Sequence, residues 1–420
     1  MNKKELINEA LTRSVSNIMP SRESFEGALL SGEKLRIYFG VDATGPHLHL
    51  GHLTNFLWLR RMQDLGHEVI LLIGDFTARI GDPTDKMAAR QPLTKNEVRQ
   101  NMHTFKRQVS KIISFSGKNQ ALIKHNSSWY KKMKLEDFMK DLLGYFTVQN
   151  MLQRDMFRER LEKWKNNQEA NLDIGSIGLK EFIYPLLQGY DGVEMDVDLE
   201  IGGNDQTFNM SVGRELRKAH IAKGNTKLRE KFFVATTLLV NPNTGKKLMN
   251  KSEGGLINLD DTPNDIFGKV MALDDYSMFA VAEHCTLLPL KHIEDFKKGI
   301  ASTQINPRDA KIEIASAVVD VIYGKYKAEK AKNGWIDFFS KKEIPEEMPT
   351  LKINVSEAIS VLDLLVLSKL AKSKSDSRRL ILGGAVELAG TVKKNPSEIL
   401  ELSGGEILKI GKRRFFRIRV

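Results

Sequence analysis

Apolar residues follow two different rhythms along this chain. Leu35–Val41 (LRIYFGV) and Val69–Ile73 (VILLI) are short, nearly continuous apolar runs, the pattern of strands buried on both faces. Each leads into Gly, Asp, Thr or Pro and then into a longer stretch with helical spacing. Ala121–Lys124 and Val197–Ile201 read as two further strands. Strand, turn, helix and strand at this spacing predict an α/β domain over residues 1–232, built on a doubly wound parallel sheet. In such sheets ligands bind beyond the carboxyl ends of the strands, so chemistry-bearing residues are expected just after each one. Residues 233–340 are predominantly helical in pattern. There Asp261-Thr262-Pro263 and Asn306-Pro307-Arg308 place a capping residue before a proline at the first helical position. A polar, proline-bearing stretch within 341–351 reads as a linker, and 352–420 as a small basic α/β module. No internal repeat or low-complexity tract interrupts this order.

A length of 420 residues accommodates two or three domains, in keeping with that division. Lys and Arg number 64 against 53 Asp and Glu, a net charge of +11, which hints at a polyanionic partner. The position of the charge sharpens the hint. Residues 352–420 hold 14 Lys and Arg against 7 Asp and Glu, so most of the excess lies in the last module. A single cysteine, Cys285, excludes an internal disulfide and a cysteine-based zinc site. No apolar run approaches the ~20 residues of a membrane helix. The N-terminal stretch is charged and lacks the apolar core of a signal peptide. The expectation is a soluble, cytoplasmic protein with no membrane partner.

The first predicted strand and turn read Tyr38-Phe-Gly40-Val-Asp42-Ala-Thr44-Gly-Pro-His-Leu-His49-Leu-Gly51-His52. Two histidines three apart share a helix face. At a helix N-terminus they stand beside unpaired backbone N–H groups and the positive end of the dipole, a setting for phosphate. An isolated HxxH is most often a pair of surface histidines, and zinc would need further ligands. After the second strand comes Gly74-Asp-Phe-Thr-Ala-Arg-Ile-Gly-Asp82-Pro-Thr, followed by Lys86 and Arg90. Asp82 suits an ammonium group, and the two cations suit a polyphosphate leaving group. Tyr184, Gln188 and Asp191 recur at i, i+4 and i+7, three polar groups on one helix face. Ile201-Gly-Gly203-Asn-Asp205-Gln206 combines glycines that admit a ribose with a carboxylate that accepts its hydroxyl protons. Gly245-Lys-Lys247-Leu248-Met249-Asn250-Lys251-Ser252 is a basic, glycine-flanked loop able to swing onto phosphates.

These elements together resemble, in kind and in order, the tyrosyl-tRNA synthetase family of class I aminoacyl-tRNA synthetases. His49-Leu-Gly-His52 matches the HIGH signature, and Tyr38-x-Gly-x-Asp-x-Thr narrows it to the tyrosyl branch. The resemblance implies a Rossmann-like catalytic domain, a helical anticodon-binding region and a C-terminal S4 module of the bacterial type. It implies activation of L-tyrosine with ATP, accompanied by Mg2+, and transfer of the tyrosyl group to tRNA(Tyr) by a homodimer. Apolar helices near 135–160 are a candidate dimer face. The residues expected to stabilise the phosphates are His49, His52, Lys86, Arg90, Lys247 and Lys251. Tyr38, Asp82, Tyr184, Gln188, Asp191 and Gln206 are expected to hold tyrosine, with Asp191 and Tyr38 at its hydroxyl. Gly40, Asp42, Thr44, Gly51, Gly203, Asp205, Met249, Lys251 and Ser252 are expected to hold ATP. No dedicated protein metal ligand is expected. In the lysine loop Leu248 occupies the first lysine's place, and Lys247, one residue upstream, is the expected substitute. Arg378, Arg379, Lys412, Arg413 and Arg414 carry the expected RNA contacts of the last module. Two alternatives remain open here: a tryptophanyl-type class I enzyme, and an inactive RNA-binding paralogue, for which Leu248 is the favouring feature.

Overall fold

The computed structural model describes residues 2–82, 93–152, 155–166, 177–224, 230–249, 255–340, 348–353, 359–368, 370–371, 373–400, 402, 404–411 and 414–419. Lys86, Arg90, Lys251, Ser252, Lys412 and Arg413 lie outside them. The chain divides into two compact units, Met1–Lys332 and Asn333–Val420.

The first unit is built on a six-stranded sheet. Its strands are β1 (Val15–Met19), β2 (Arg36–Asp42), β3 (Glu68–Gly74), β4 (Leu122–His125), β5 (Leu199–Gly203) and β6 (Phe232–Thr236). They lie in the order β1-β6-β5-β2-β3-β4. β2 pairs in parallel with β3 on one side and β5 on the other, so the direction of winding reverses at β2. The four expected strands are all present, each within a residue or two of its predicted ends. Ile37, Val41 and the run Val69–Ile73 are buried, as two-sided strands of a parallel sheet require. β1 is an addition at the edge, antiparallel to β6. Its Val-Ser-Asn-Ile-Met has two exposed polar residues and lacks the two-sided apolar pattern.

β6 corrects the boundary drawn at 232. That position is the first residue of a sheet strand, and the sheet continues to Thr236. The helices beyond it also belong to the first compact unit. Ser277–Cys285 packs on the Leu50–Asp64 helix. The buried guanidinium of Arg13 donates to the carbonyls of Glu283 (2.9 Å) and Thr286 (2.8 Å), capping the end of Ser277–Cys285. The predicted helix starts at Pro263 and Pro307 are observed. Thr262 Oγ1 accepts from Asp265 N–H, and Asn306 Oδ1 from Arg308 N–H.

Two helices frame the expected tyrosine residues, Leu179–Glu194 and Thr207–Ala222. They approach through glycines: a Cβ on Gly189 would stand 3.0 Å from Gly213 Cα. The second unit carries a five-stranded sheet and two short helices, Val361–Leu367 and Lys374–Leu382, around a core of Leu364, Leu365, Ile381, Val386, Leu408 and Ile418.

Candidate functional site

The candidate residues converge at the carboxyl ends of β2, β3 and β5. β2 ends in Asp42, whose Oδ2 accepts from Tyr184 Oη (3.0 Å) and whose Oδ1 accepts from Thr77 Oγ1 (2.6 Å). Gly74 closes β3 because nothing larger fits there. A Cβ would collide with Asp42 Oδ1 and stand 2.6 Å from Thr77 Oγ1. Burial pushes the Asp42 carboxyl up to about 7, and the Thr77 hydrogen bond only partly opposes it. Asp42, expected at ATP, is thus tied into the tyrosine set through Tyr184. Burial, with Asp42 next in weight, likewise holds the Tyr184 phenol well above its ordinary value.

The helix face with Tyr184, Gln188 and Asp191 is a polar cluster in which Tyr184 and Asp191 are buried and Gln188 is half-buried. Asp191 Oδ1 accepts from Trp129 Nε1 (2.9 Å) and Oδ2 from Asn126 Nδ2 (3.2 Å). Burial raises its carboxyl to about 8 despite those donors. Tyr38 is buried in β2, and its hydroxyl donates to the Gln188 carbonyl at 3.4 Å. Gln188 Nε2 donates to Glu200 (2.9 Å), and Gln206 Nε2 donates to Asp82 Oδ2 (2.7 Å). Asn126 also accepts from Phe76 N–H and donates to Thr77 Oγ1, so one residue knits β3's turn to Asp191. Sequence reading missed Asn126, Trp129, Glu200, Asn209 and Lys231. Asn126 stands one residue past β4, where the strand-end rule points. Glu200 stands between Leu199 and Ile201 in a buried strand, and a charge there demands a partner.

The histidine pair forms the N-terminus of the Leu50–Asp64 helix. His49 is the N-cap, and its Nδ1 accepts from Gly51 N–H at 3.2 Å. His52 Nδ1 accepts from His49 N–H, also at 3.2 Å, closing a capping box. The rings lie 4.1 Å apart between centroids. Because each Nδ1 accepts a backbone N–H, the neutral rings carry their protons on Nε2, a pair of donors at the positive helix end. Gly51 admits the His49 ring: a Cβ would stand 3.0 Å from His49 Cε1. It is also among the residues expected at ATP.

The lysine loop is anchored at both ends near these elements. Lys247 bridges Val240, and Leu248 N–H donates to Leu239 O (2.9 Å). Lys247 Nζ lies 2.5 Å from Asp205 Oδ2, bringing the loop onto the expected ribose carboxylate. Met249 is buried, 3.9 Å from where a Cβ on Gly51 would stand. Past the loop, Leu50 N–H donates to Ile257 O (3.0 Å) and Leu259 N–H to Leu48 O (2.7 Å), stitching the return segment to the histidine turn. Gly40 and Thr44 are exposed at and just past the end of β2. At Gly203 a Cβ would stand 2.7 Å from Asp205 Oδ1. In the second unit Arg378, Arg379 and Arg414 are exposed. Arg379 pairs with Asp376 (2.7 Å), and Arg414 donates to Leu370 O (2.8 Å).

Comparisons with known proteins agree with this geometry. The family described as tRNA synthetases class I (W and Y) matches residues 30–340. The tyrosine–tRNA ligase of Thermotoga maritima is 36% identical over 408 residues, 97% of this chain and 96% of that protein. Tyrosine–tRNA ligase 2 of Vibrio cholerae is 37% identical over 410 residues, 98% and 97% of the two chains. Among solved structures, a C-terminally truncated mitochondrial tyrosyl-tRNA synthetase of Coccidioides posadasii superposes with a TM-score of 0.61 at 22% identity. That match covers 80% of this chain and 92% of the other, a likeness of fold. The family match over residues 30–340 and relatives of 36–37% identity along nearly the whole chain place it in the class I tRNA synthetases, among the tyrosine–tRNA ligases.

Proposed function

We propose that this chain charges tRNA(Tyr) in two steps at one site. Tyrosine's carboxylate attacks the α-phosphate of ATP, giving tyrosyl-adenylate and pyrophosphate, and the terminal ribose hydroxyl of the tRNA then takes the tyrosyl group. The observation that carries the reading is the polar face of the Leu179–Glu194 helix, buried against Asp42, Trp129 and Asn126. In this reading Tyr184, Gln188 and Asp82 receive the ammonium group, Gln206 the carboxylate end, and Asp191 with Tyr38 the phenolic hydroxyl. Gly40, Asp42, Thr44, Gly51, Gly203, Asp205 and Met249 line the nucleotide's place, and Ser252 joins them by motif.

No covalent intermediate on the protein is needed, and the only cysteine is buried. Catalysis is electrostatic and positional. The Nε2–H donors of His49 and His52, at the helix N-terminus, stabilise charge developing on the phosphates. Lys86, Arg90 and Lys251 join them by motif, and Lys247 from its seat on Asp205. Among the described residues no cluster of three or more His, Cys, Asp or Glu is placed to hold a metal. In this reading magnesium accompanies ATP, held chiefly by phosphates and water. A homodimer is supported by exposed Leu135, Met139, Val148 and Leu179 on and beside the 135–160 helices. A cytoplasmic location follows, in this reading, from charging tRNA for translation; among the described residues no helix is long and apolar enough to cross a membrane.

The test is ATP–pyrophosphate exchange with each of the twenty amino acids. Exchange with tyrosine is expected; exchange with tryptophan alone, or with none, refutes the reading.

A further inference from the structure

Glu200 lies in β5 and Lys231 immediately precedes β6, and both side chains are buried. They form an ion pair, Lys231 Nζ on Glu200 Oε2. The ammonium sits in a notch between the two framing helices, cut by glycines. A Cβ on Gly192 would stand 2.6 Å from Nζ, and one on Gly213 2.7 Å. A buried ion pair stabilises a fold little, because desolvating two charges offsets their attraction. Its value here is directional.

Glu200 Oε1 accepts from Gln188 Nε2 (2.9 Å). Gln188 Oε1 accepts from Asn209 Nδ2 (3.0 Å), which also donates to Gln206 Oε1 (3.0 Å). Gln206 Nε2 donates in turn to Asp82 (2.7 Å). Carboxylates at both ends can only accept, so each glutamine turns its NH2 outward and its carbonyl toward Asn209. Asn209 must then give both amide hydrogens inward. Its buried Oδ1 has no hydrogen-bond partner among the described residues, the cost of that orientation.

We propose that Lys231 and Glu200 are positioning residues that set the polarity of the tyrosine site. Lys231 fixes Oε2 of the Glu200 carboxylate, and the hydrogen-bond relay from Oε1 then makes Gln188 show an acceptor to the substrate's ammonium. The same relay makes Gln206 show donors to its carboxylate end. The inference rests on the assignment of Gln188 and Gln206 proposed above. A reversed relay would set a donor against the ammonium and an acceptor against the carboxylate, repelling the zwitterion at both ends.

The double variant Glu200→Gln, Lys231→Met tests it, because it removes both charges at similar volume and leaves no orphaned ion. A glutamine at 200 can offer either oxygen or NH2, so the orientation of Gln188 is no longer forced. In ATP–pyrophosphate exchange, tyrosine KM should rise five- to tenfold, about the worth of one oriented hydrogen bond. The kcat and the ATP KM should stay within twofold, with an unfolding midpoint at or above that of the native enzyme. A folded double variant with native tyrosine KM overturns the proposal. Asn209→Leu, which removes the pivot of the relay, should give the same split, and a native tyrosine KM there overturns it equally. Gln188→Ala separates the layers. If it raises tyrosine KM while the double variant does not, the relay is wrong and the site assignment stands. If it leaves tyrosine KM native, both fall.

Discussion

Replacing Asp191 by Asn should change the pH dependence of stability more than stability itself. The Asp191 side chain is 3% exposed, and burial raises its carboxyl from 3.8 to about 8. The folded protein therefore holds this proton more tightly than the unfolded chain does. Stability contributed at this position is highest below the unfolded value and falls as pH rises toward 8. Within that window the fall is about 1.4 kcal/mol per pH unit. Between pH 5.5 and 7.5 the native protein should lose about 2.5 kcal/mol through this group. Asparagine cannot ionise. It keeps one acceptor for Trp129 or Asn126 and turns NH2 toward the other donor, a loss of roughly 1–3 kcal/mol at every pH. Asp42, raised to about 7, titrates in both proteins and cancels to first order in the difference. Urea unfolding without tyrosine, at pH 5.5, 6.5 and 7.5, gives the comparison. The stability of Asp191→Asn relative to native should climb by about 2.5 kcal/mol across that range. A difference constant to within about 0.5 kcal/mol would refute burial as the cause of the raised carboxyl.

Other predictions follow from the charged elements. Replacing His52 or Lys251 by Ala should slow single-turnover adenylate formation with tyrosine affinity unchanged, because these groups act on charge that develops in the transition state; equal rates in both variants would remove them from the chemistry. Lys247→Ala should shift the unfolding free energy by less than about 1 kcal/mol, since its pair with Asp205 is half-exposed, yet slow adenylate formation; a native rate would show that Lys247 does not replace the family's first lysine. Replacing Arg378, Arg379 and Arg414 together by Ala should raise the KM for tRNA and lower the salt slope of binding by up to about three, and an unchanged slope would move the RNA contacts elsewhere.

Much of the scaffold was legible because its signals are local. Val69–Ile73 is an unbroken apolar run with nowhere to go but the middle of a sheet, and Thr262 before Pro263 starts a helix without outside help. β1 was not legible, since Ser16 and Asn17 face outward and the strand exists only because β6 offers it an edge. The 232 boundary failed for the same reason: Phe232–Thr236 is a strand whose partner, β5, lies some thirty residues earlier. In the site, each motif was legible as chemistry but not as a set of contacts. The i, i+4, i+7 spacing put Tyr184, Gln188 and Asp191 on one face. It could not show that Tyr184 reaches Asp42 while Gln188 reaches Glu200. Those partners are brought close only by the packing of β2 and β5 against the Leu179–Glu194 helix, which has no local signature.

If Lys247 takes the first lysine's part, as proposed above, the departure at Leu248 is a displacement and not a loss. Leu248 in the first lysine's place favours an inactive relative if residues are compared column by column. In the structure, however, the backbone of this segment is paired: Lys247 bridges Val240, and Leu248 donates to Leu239. Lys247 reaches Asp205, the carboxylate expected at the ribose. The pair is half-exposed and worth little, so a ribose hydroxyl can take its place on Asp205 at small cost and release the ammonium beside the nucleotide. A lysine seated on the carboxylate proposed for the ribose is arranged for the use proposed above, which the Lys247→Ala rate tests. With Tyr184, Gln188 and Asp191 held in a polar network, that arrangement weighs against the inactive reading more heavily than Leu248 weighs for it.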